Sequence, residues 1–231
     1  HDSSVTEIDG LLQLENTTLK MQQPTITLTN LNGQLAFGRE SWHSKSLKAR
    51  LFDSPVAIAL ERQSENDEQI QVKLSGVADR VYLQNRLTEL GLKADELRIL
   101  KQLSGSTRWQ ADLDLNEVNG KDSTQLRIAS DLSGFVINAP APLGKIASEK
   151  RQLRIETPLS NGSANSSTFQ YGRIVSGRWQ ANADSDSPQL KHLSLRFGSD
   201  TAPAVLEESV TIAAHGSLKE IDLGEWQNFL T

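Results

Sequence analysis

The residues that could do chemistry in this sequence are few and poorly spaced for it. Its four histidines are His1, His43, His192 and His215, and no two of them stand at the i, i+4 or other spacing of a zinc site. No G-x-S-x-G segment is present, so a hydrolase serine has no support. We therefore expect the histidines to be strand-face or surface residues, and we predict no catalytic residue, no metal site and no cofactor.

The Gly144-Lys145 pair has the residue order that ends a phosphate-binding loop. Such a loop also needs a glycine five residues earlier and a hydroxyl residue directly after the lysine. Ala139 and Ile146 occupy those two positions. We interpret the pair as part of a turn that follows two prolines.

Two pairs of carboxylates and a set of tryptophans could also form sites. Asp184 and Asp186 lack the glycine and the downstream glutamate of a calcium loop, which favours a solvated loop. Glu207 and Glu208 could serve a glycosidase only at a set separation, which nothing in the sequence indicates. The tryptophans could line a sugar-binding face, although such residues more often pack in a core: Trp42, Trp109, Trp179 and Trp226.

Composition excludes several classes of protein. The chain has 231 residues, a net charge of -5 and no cysteine. The acidic balance argues against a nucleic-acid binder, which usually has a basic face. Without cysteine there is no disulfide framework. No apolar run approaches the roughly 18 residues of a membrane-spanning helix, so we expect no span within these residues.

Short runs in which apolar and polar residues alternate dominate the chain. Examples are Leu47 to Leu51, Ile70 to Leu74 and Trp109 to Leu115, separated by polar turn segments such as Asn119-Gly120. A period of two gives one apolar and one polar face, which is typical of half-buried antiparallel strands. Tight polar turns at this spacing predict a mainly β protein built as a meander, sandwich or barrel.

Helical spacing interrupts this rhythm in one region. Leu83, Leu87 and Leu90 recur at helical intervals, with Asp79 as N-cap and Gly91 as stop. A second short helix is indicated over residues 95–103. We predict one or two short helices around 79–103, acting as a plug or as a cap on an edge of the sheet.

The last residues carry another helix signal. Asp222 and Glu225 have the spacing of a capping box, and Trp226 and Phe229 then fall on one helical face. Because this helix begins where the sequence stops, we expect the chain to be an internal section of a longer protein.

Two segments resemble a known family. Leu103 to Leu115 (LSGSTRWQADLDL) and Ser130 to Lys145 (SDLSGFVINAPAPLGK) are similar in order and spacing to the YhdP branch of the AsmA-like proteins of Gram-negative bacteria. Weaker similarity covers Thr27 to Phe37, Ala49 to Leu60 and Gly216 to Trp226. The P-A-P-L-G-K stretch is the most specific part, and the likeness extends over most of the chain.

The resemblance implies a fold and a function that composition does not. Family members are very long, are anchored in the inner membrane by an N-terminal helix and lie mostly in the periplasm. They resemble bridge-like lipid transporters, in which an extended, twisted antiparallel sheet curls into an open trough of the β-taco type. The resemblance thus implies that residues 1–231 form a single internal periplasmic segment, which binds phospholipid acyl chains during transport to the outer membrane and supports its permeability barrier.

Under this hypothesis one apolar face of the sheet lines the lipid groove. The expected lining residues are Ile26, Leu28, Leu35, Phe37, Leu47, Leu51, Val56, Ile58, Leu60, Val72, Leu113, Leu115, Ile128, Leu195 and Ile212. The same residues could instead form the core of a closed sandwich. Two other functions stay open, namely an envelope assembly module that binds proteins through edge strands and a glycan-binding β-sandwich. We expect no enzymatic activity and no nucleic-acid partner.

Overall fold

The computed structural model describes residues 10–22, 25–38, 42–62, 70–89, 98–115, 117–118, 121–122, 124–159, 166–181, 190–198, 205 and 211–230. The strands of the first half are β1 (Gly10–Gln22), β2 (Thr25–Phe37), β3 (Trp42–Leu51), β4 (Ser54–Arg62), β5 (Ile70–Asp79), β6 (Leu103–Leu115), β7 (Glu117–Val118) and β8 (Lys121–Asp122). Those of the second half are β9 (Gln125–Ser130), β10 (Phe135–Ile137), β11 (Leu153–Pro158), β12 (Ser166–Tyr171), β13 (Val175–Ala181), β14 (Leu190–Phe197) and β15 (Ile212–Gly216). The helices are α1 (Arg80–Glu89), a 3-10 helix (Arg98–Gln102) and α2 (Leu223–Leu230).

One large sheet contains nearly all of these strands. Its order is β1-β2-β3-β4-β5-β6-β9-β11-β12-β13-β14-β15, with β10 paired to the start of β6. The β7–β8 hairpin forms a small separate sheet between β6 and β9. Neighbours in the chain thus pair as neighbours in the sheet, as short hairpin connections require. The prediction of an extended, mainly β sheet with short helices is confirmed.

Among the described strands, all pairs but one are antiparallel. Strands β14 and β15 run parallel, with Leu193 opposite Ile212 and Phe197 opposite Gly216, so the expected antiparallel pairing does not extend to this edge. A parallel pair needs a crossover rather than a tight turn. The chain between Phe197 and Ile212 is long enough to make one.

The curvature of the sheet differs from what the resemblance implies. The sheet is open and uncurled, and bulges are the devices that curl a sheet. Register shifts occur in the β1–β2, β2–β3, β3–β4 and β13–β14 pairs. Every pairing from β4 across to β13 keeps a continuous register, so the long central part lacks the bulges that would form a trough.

The two ends of the strands carry different structures. We call the end that holds the β3–β4 turn, α1, and the β12–β13 turn the upper rim. Helix α1 follows β5 directly and begins as predicted, because the Asp79 carboxylate accepts the Tyr82 N–H at 2.8 Å. Its predicted end at Leu90 and Gly91 lies outside the described residues.

The second predicted helix is corrected in two respects. Residues 95–97 lie outside the part of the chain that the structure describes, and the rest is a 3-10 helix that ends at Gln102. Leu103 already begins β6, where it pairs with Ile137. Helix α1 also contacts β5 and β6, in the middle of the strand order, so it does not cap a lateral edge of the sheet.

The helix predicted near the end of the sequence is confirmed as α2. The carboxylate of Asp222 accepts the Glu225 N–H at 3.0 Å, and its main-chain carbonyl accepts the Trp226 N–H at 3.1 Å. Trp226 and Phe229 pack edge to face, with ring centroids 5.7 Å apart. The indole N–H of Trp226 donates to Ala141 at 3.2 Å, which ties α2 to the loop between β10 and β11.

Candidate functional site: an apolar sheet face and the loop at its rim

Strand register assigns each side chain to one of two faces. Directly opposed residues point to the same face of a sheet, and successive residues alternate. The pairs Val72–Leu113 and Leu74–Ala111 therefore share one face, which we call the apolar face. The pairs Gln71–Asp114 and Lys73–Asp112 share the other, which we call the polar face.

The apolar face runs without a break from β1 to β15. Cross-strand pairs extend it in both directions, for example Leu19–Leu28 at one edge and Leu193–Ile212 at the other. All of the residues predicted to line a groove lie on this face: Ile26, Leu28, Leu35, Phe37, Leu47, Leu51, Val56, Ile58, Leu60, Val72, Leu113, Leu115, Ile128, Leu195 and Ile212. Their role as lipid contacts stays a prediction.

Burial on the apolar face is greatest in the middle of its first half. Val56 and Ile58 in β4 are each 4% exposed, and they belong to a cluster that extends from β2 to β6. Leu12 in β1 is 45% exposed and Ile212 in β15 is 61% exposed. Apolar side chains are thus open to solvent at both lateral edges of the sheet, where β1 and β15 each have one neighbour among the described strands.

The polar face carries charged and amide side chains that pair across strands. Asp114 accepts a hydrogen bond from Gln71 at 3.2 Å and forms an ion pair with Arg127. Both partners of Asp114 lie on strands adjacent to β6. Such contacts keep this side of the sheet compatible with water.

Helix α1 covers the upper end of the apolar face. The ring centroid of Tyr82 lies 5.9 Å from that of Phe52 and 6.1 Å from that of Trp109. Arg86 places its guanidinium 4.6 Å from the centre of the Phe52 ring, a cation–π contact. Leu83, on the same helix, packs against the second apolar cluster, formed by β10 to β14. Helix α1 therefore bridges both clusters.

Trp109 lies flat over a residue without a side chain. A Cβ added to Gly76, its cross-strand partner, would meet the Trp109 ring at 2.9 Å. Glycine is therefore required at 76 for the indole to approach the sheet. The indole nitrogen of Trp109 is buried and has no hydrogen-bond partner within the described residues.

The loop between β10 and β11 contains the most specific segment of the sequence resemblance. It is a turn, as predicted, in which Pro140 accepts hydrogen bonds from the N–H groups of Leu143 and Gly144. Lys145 then pairs with Ile137 through two main-chain bonds of 2.9 Å. Its ammonium is buried, with the residue 3% exposed, and donates to the carbonyls of Phe135 at 2.7 Å and Ile146 at 2.9 Å. Burial lowers the pKa of Lys145 from its usual 10.5.

Tyr171 and Arg151 hold the same loop from the other side. The Tyr171 hydroxyl donates to the Leu143 carbonyl and accepts from Arg151, both at 2.9 Å. Arg151 also donates to Pro142 at 3.1 Å, and its guanidinium lies 4.9 Å from the centre of the Tyr171 ring. Burial raises the pKa of Tyr171 from its usual 10.0. Sequence reasoning missed this network, because its members are far apart in the chain and lack a motif.

The other candidate residues do not come together. His43 and His215 are exposed, His192 is buried on the polar face, and no cluster of metal-ligating side chains occurs in the part of the chain that the structure describes. Asp184, Asp186, Glu207, Glu208 and His1 lie outside the described residues. The tryptophans are spread over four separate elements, β3, β6, β13 and α2, and do not form one aromatic platform.

Comparison with known proteins gives a clear result at the level of the family. The sequence profile of the family described as YhdP protein matches residues 1–231, the whole chain. No curated protein and no solved structure shows significant similarity to it. Among the described helices none is long and apolar enough to cross a membrane. The chain belongs to the YhdP family, which consists of cell-envelope proteins of the AsmA-like type.

Proposed function

We propose that this segment is a section of a lipid conduit and that its apolar face shields phospholipid acyl chains. The observation that carries the proposal is the apolar face, which continues from β1 to β15 and is backed by a polar face in strands such as β5 and β6. Neighbouring strands lie about 4.8 Å apart, so the face extends for roughly 50 Å across the strands. A phospholipid could therefore lie on it wherever its side chains are exposed, as at Leu12 in β1 and Ile212 in β15.

The energetics favour movement along such a face. Removing acyl chains from water is worth about 0.8 kcal/mol for each buried CH₂ group. Because apolar residues continue from strand to strand, a lipid that slides by one strand exchanges one set of apolar contacts for a similar set. The barrier to sliding is then small, and the direction of net movement comes from outside this segment.

The open, uncurled sheet supports an apolar surface that lipids approach from the side rather than an enclosed groove. The proposal places residues 1–231 in the periplasm, as an internal segment of a longer protein anchored in the inner membrane. In that position the segment would carry acyl chains toward the outer membrane and support its permeability barrier. The segment needs no cofactor and no catalytic group for this role.

A second function is favoured by one specific observation. Strand β1 has 13 residues, and among the described strands it pairs with β2 alone. A long strand with one unpaired side is a template for the addition of a partner strand. An envelope assembly module that binds a protein along β1 is therefore the alternative, and it predicts a stoichiometric protein partner rather than bound lipid.

The absence of cysteine allows a direct test of the lipid conduit. Single cysteines replace Val72 on the apolar face or its neighbour Lys73 on the polar face, and each variant is labelled with an environment-sensitive fluorophore. Phospholipid with a quencher in its acyl chain should quench the label at 72 and leave the label at 73 bright. Equal quenching at both positions, or none at either, would contradict acyl binding on the apolar face.

A further inference from the structure

A cavity opens on the polar face at the upper rim, away from the acyl surface. Its volume is about 460 Å³, and it lies between the segment that leads into β11, the end of β12 and the β12–β13 turn. Arg154 and Gln170 lie opposite each other on the polar face and form one wall. Lys150, Gly172 and Arg173 contribute to the remaining wall.

The cavity concentrates positive charge in an acidic chain. Four of its lining residues are cations, Lys150, Arg151, Arg154 and Arg173, and one is a carboxylate, Glu149. The local formal charge is therefore +3, from four positive charges and one negative charge, whereas the whole chain carries -5. Such a concavity attracts anions and raises their local concentration.

The single carboxylate of the cavity is already engaged. Arg151 donates from Nε to the Glu149 carboxylate at 3.0 Å, and it also holds Tyr171 and the Pro142 carbonyl. Arg151 therefore has a structural role and neutralises Glu149. Lys150 lies 3.7 Å from the Asp131 carboxylate, a long contact at an exposed position.

Two arginines remain for a ligand. Within the described residues, Arg154 and Arg173 have neither an ion pair nor a side-chain hydrogen bond. The cross-strand neighbours of Arg154 are Ala129 and Gln170, and neither carries a charge. An arginine without a carboxylate partner keeps its full set of donors for two oxygens of an anion such as phosphate.

The floor of the cavity is fixed by the main chain. The N–H of Gly172 donates to the Gln152 carbonyl at 2.7 Å, which joins the β12–β13 turn to the segment before β11. Gly172 has φ +56, and a Cβ there would meet the Arg151 side chain at 3.1 Å. Arg154 and Arg173 thus project from a supported backbone.

We propose that this cavity binds a phosphate group through Arg154 and Arg173, with Lys150 adding charge at the entrance. Guanidinium groups bind phosphate through paired, charge-assisted hydrogen bonds. A volume of about 460 Å³ exceeds that of a bare phosphate and leaves space for a small substituent on it. Because the cavity lies on the polar face, its ligand is distinct from acyl chains on the apolar face. The phosphate belongs either to a soluble phosphorylated compound or to the headgroup of a lipid in a bilayer.

The test compares two doubly substituted forms of the 231-residue chain. Arg154→Gln with Arg173→Gln removes two charges from the cavity. Lys45→Gln with Lys48→Gln removes two charges from exposed positions on β3 and serves as the matched control. All four positions are exposed, so both variants should keep the circular dichroism spectrum of the wild type.

Two probes distinguish the sources of phosphate. Isothermal titration with glycerol 3-phosphate measures binding of a soluble phosphate ester, and co-sedimentation with vesicles of phosphatidylglycerol or phosphatidylcholine measures binding of a headgroup. We expect wild type to bind one of these phosphates saturably, and the arginine variant to bind it about tenfold more weakly. The lysine control should keep wild-type affinity.

Each outcome decides the proposal. Selective loss of glycerol 3-phosphate binding in the arginine variant supports a soluble ligand. Selective loss of vesicle binding, without any titration signal, supports a lipid headgroup. Absence of binding to both probes, or equal weakening in the two variants, overturns the phosphate site and leaves the acyl-binding proposal untouched.

Discussion

The ammonium of Lys145 lies 2.7 Å from the main-chain carbonyl oxygen of Phe135, and it joins the P-A-P-L-G-K loop to strand β10. A second bond, of 2.9 Å, reaches the carbonyl of Ile146. The residue is almost wholly buried, and the Ile146 carbonyl accepts the Glu149 N–H at 3.2 Å as well. The lysine of the most specific sequence segment thus contributes to the structure of the loop.

Substitution of Lys145 should therefore lower the stability of the protein. Lys145→Met removes two buried hydrogen bonds, those to the carbonyls of Phe135 and Ile146, and we expect the free energy of unfolding to fall by about 1–3 kcal/mol. Urea denaturation followed by circular dichroism measures it. Lys150→Met, at an exposed position, is the control and should change stability little. Equal stability of wild type and Lys145→Met would mean that the buried ammonium makes no net contribution to the free energy of unfolding.

The lowered pKa of Lys145 gives a pH dependence of known sign. Between the lowered folded pKa and the usual 10.5, the unfolded chain binds more protons than the folded one. Unfolding free energy therefore rises with pH across that window. Wild type should gain stability relative to Lys145→Met as pH increases toward 10.5, because the cost of a buried charge is relieved. A stability difference that is constant over this range would contradict the burial effect.

Tyr171→Phe should loosen the same loop from the other side. The change removes a hydroxyl that donates to Leu143 and accepts from Arg151. Loss of these bonds should cost about 1–2 kcal/mol of unfolding free energy. Amide hydrogen exchange of Leu143, Gly144 and Lys145 should also become faster, whereas the amides of β4 should not change. Unaltered exchange in the loop would show that the hydroxyl does not hold it.

A methyl group at residue 76 should disturb the packing of Trp109. In Gly76→Ala the new Cβ would lie 2.9 Å from the indole ring, closer than carbon atoms approach without displacement. Overpacking of this kind costs about 1–3 kcal/mol. Tryptophan fluorescence reports the changed environment of Trp109, and thermal denaturation measures the loss of stability. Ser75→Ala on the polar face is the control. A Gly76→Ala protein with wild-type fluorescence and stability would contradict the close stacking.

Adjacent leucines of β1 point to opposite faces of the sheet, so substituting them compares lipid binding by the two faces. Leu12 points to the apolar face and Leu11, 64% exposed, to the polar face. Leu12→Asp together with Leu19→Asp should reduce phospholipid retained by the purified protein severalfold, because charges at exposed apolar positions repel acyl chains. Leu11→Asp with Val77→Asp should retain as much lipid as wild type. Native mass spectrometry and lipid extraction measure the retained phospholipid. An equal loss of lipid in the two double variants would contradict binding on the apolar face alone.

Much of the sheet could be predicted because a strand's side chains alternate with a period of two. Val72 and Leu113 fall in phase with their neighbours in sequence, and register then brings them opposite each other. The same alternation placed Ile26 and Ile212, at opposite ends of the strand order, on one face. The helix N-caps could be predicted equally well, since Asp79 and Asp222 each accept the hydrogen bond that their spacing predicts.

Features that depend on distant contacts could not be predicted in this way. No local pattern indicates that Tyr82 packs against Trp109 or that Arg151 contacts Tyr171. Strand direction at β15 depends on the path of its connection rather than on the residues of the strand. Curvature depends on where bulges fall across the whole sheet, and they fall only toward its two sides.

The parallel pairing of β15 has a mechanical consequence. Strand β1 starts at the lower ends of the strands, where Gly10 lies opposite Phe37, and β15 finishes at the upper rim beside Phe197. Of a tension applied between these two points, the component that runs along the strands pulls β15 lengthwise along β14. Its hydrogen bonds then share the load in shear, whereas an antiparallel last strand would finish at the opposite rim and peel away one bond at a time. Along the strand direction, this edge of the sheet therefore resists a pull better than an antiparallel edge would.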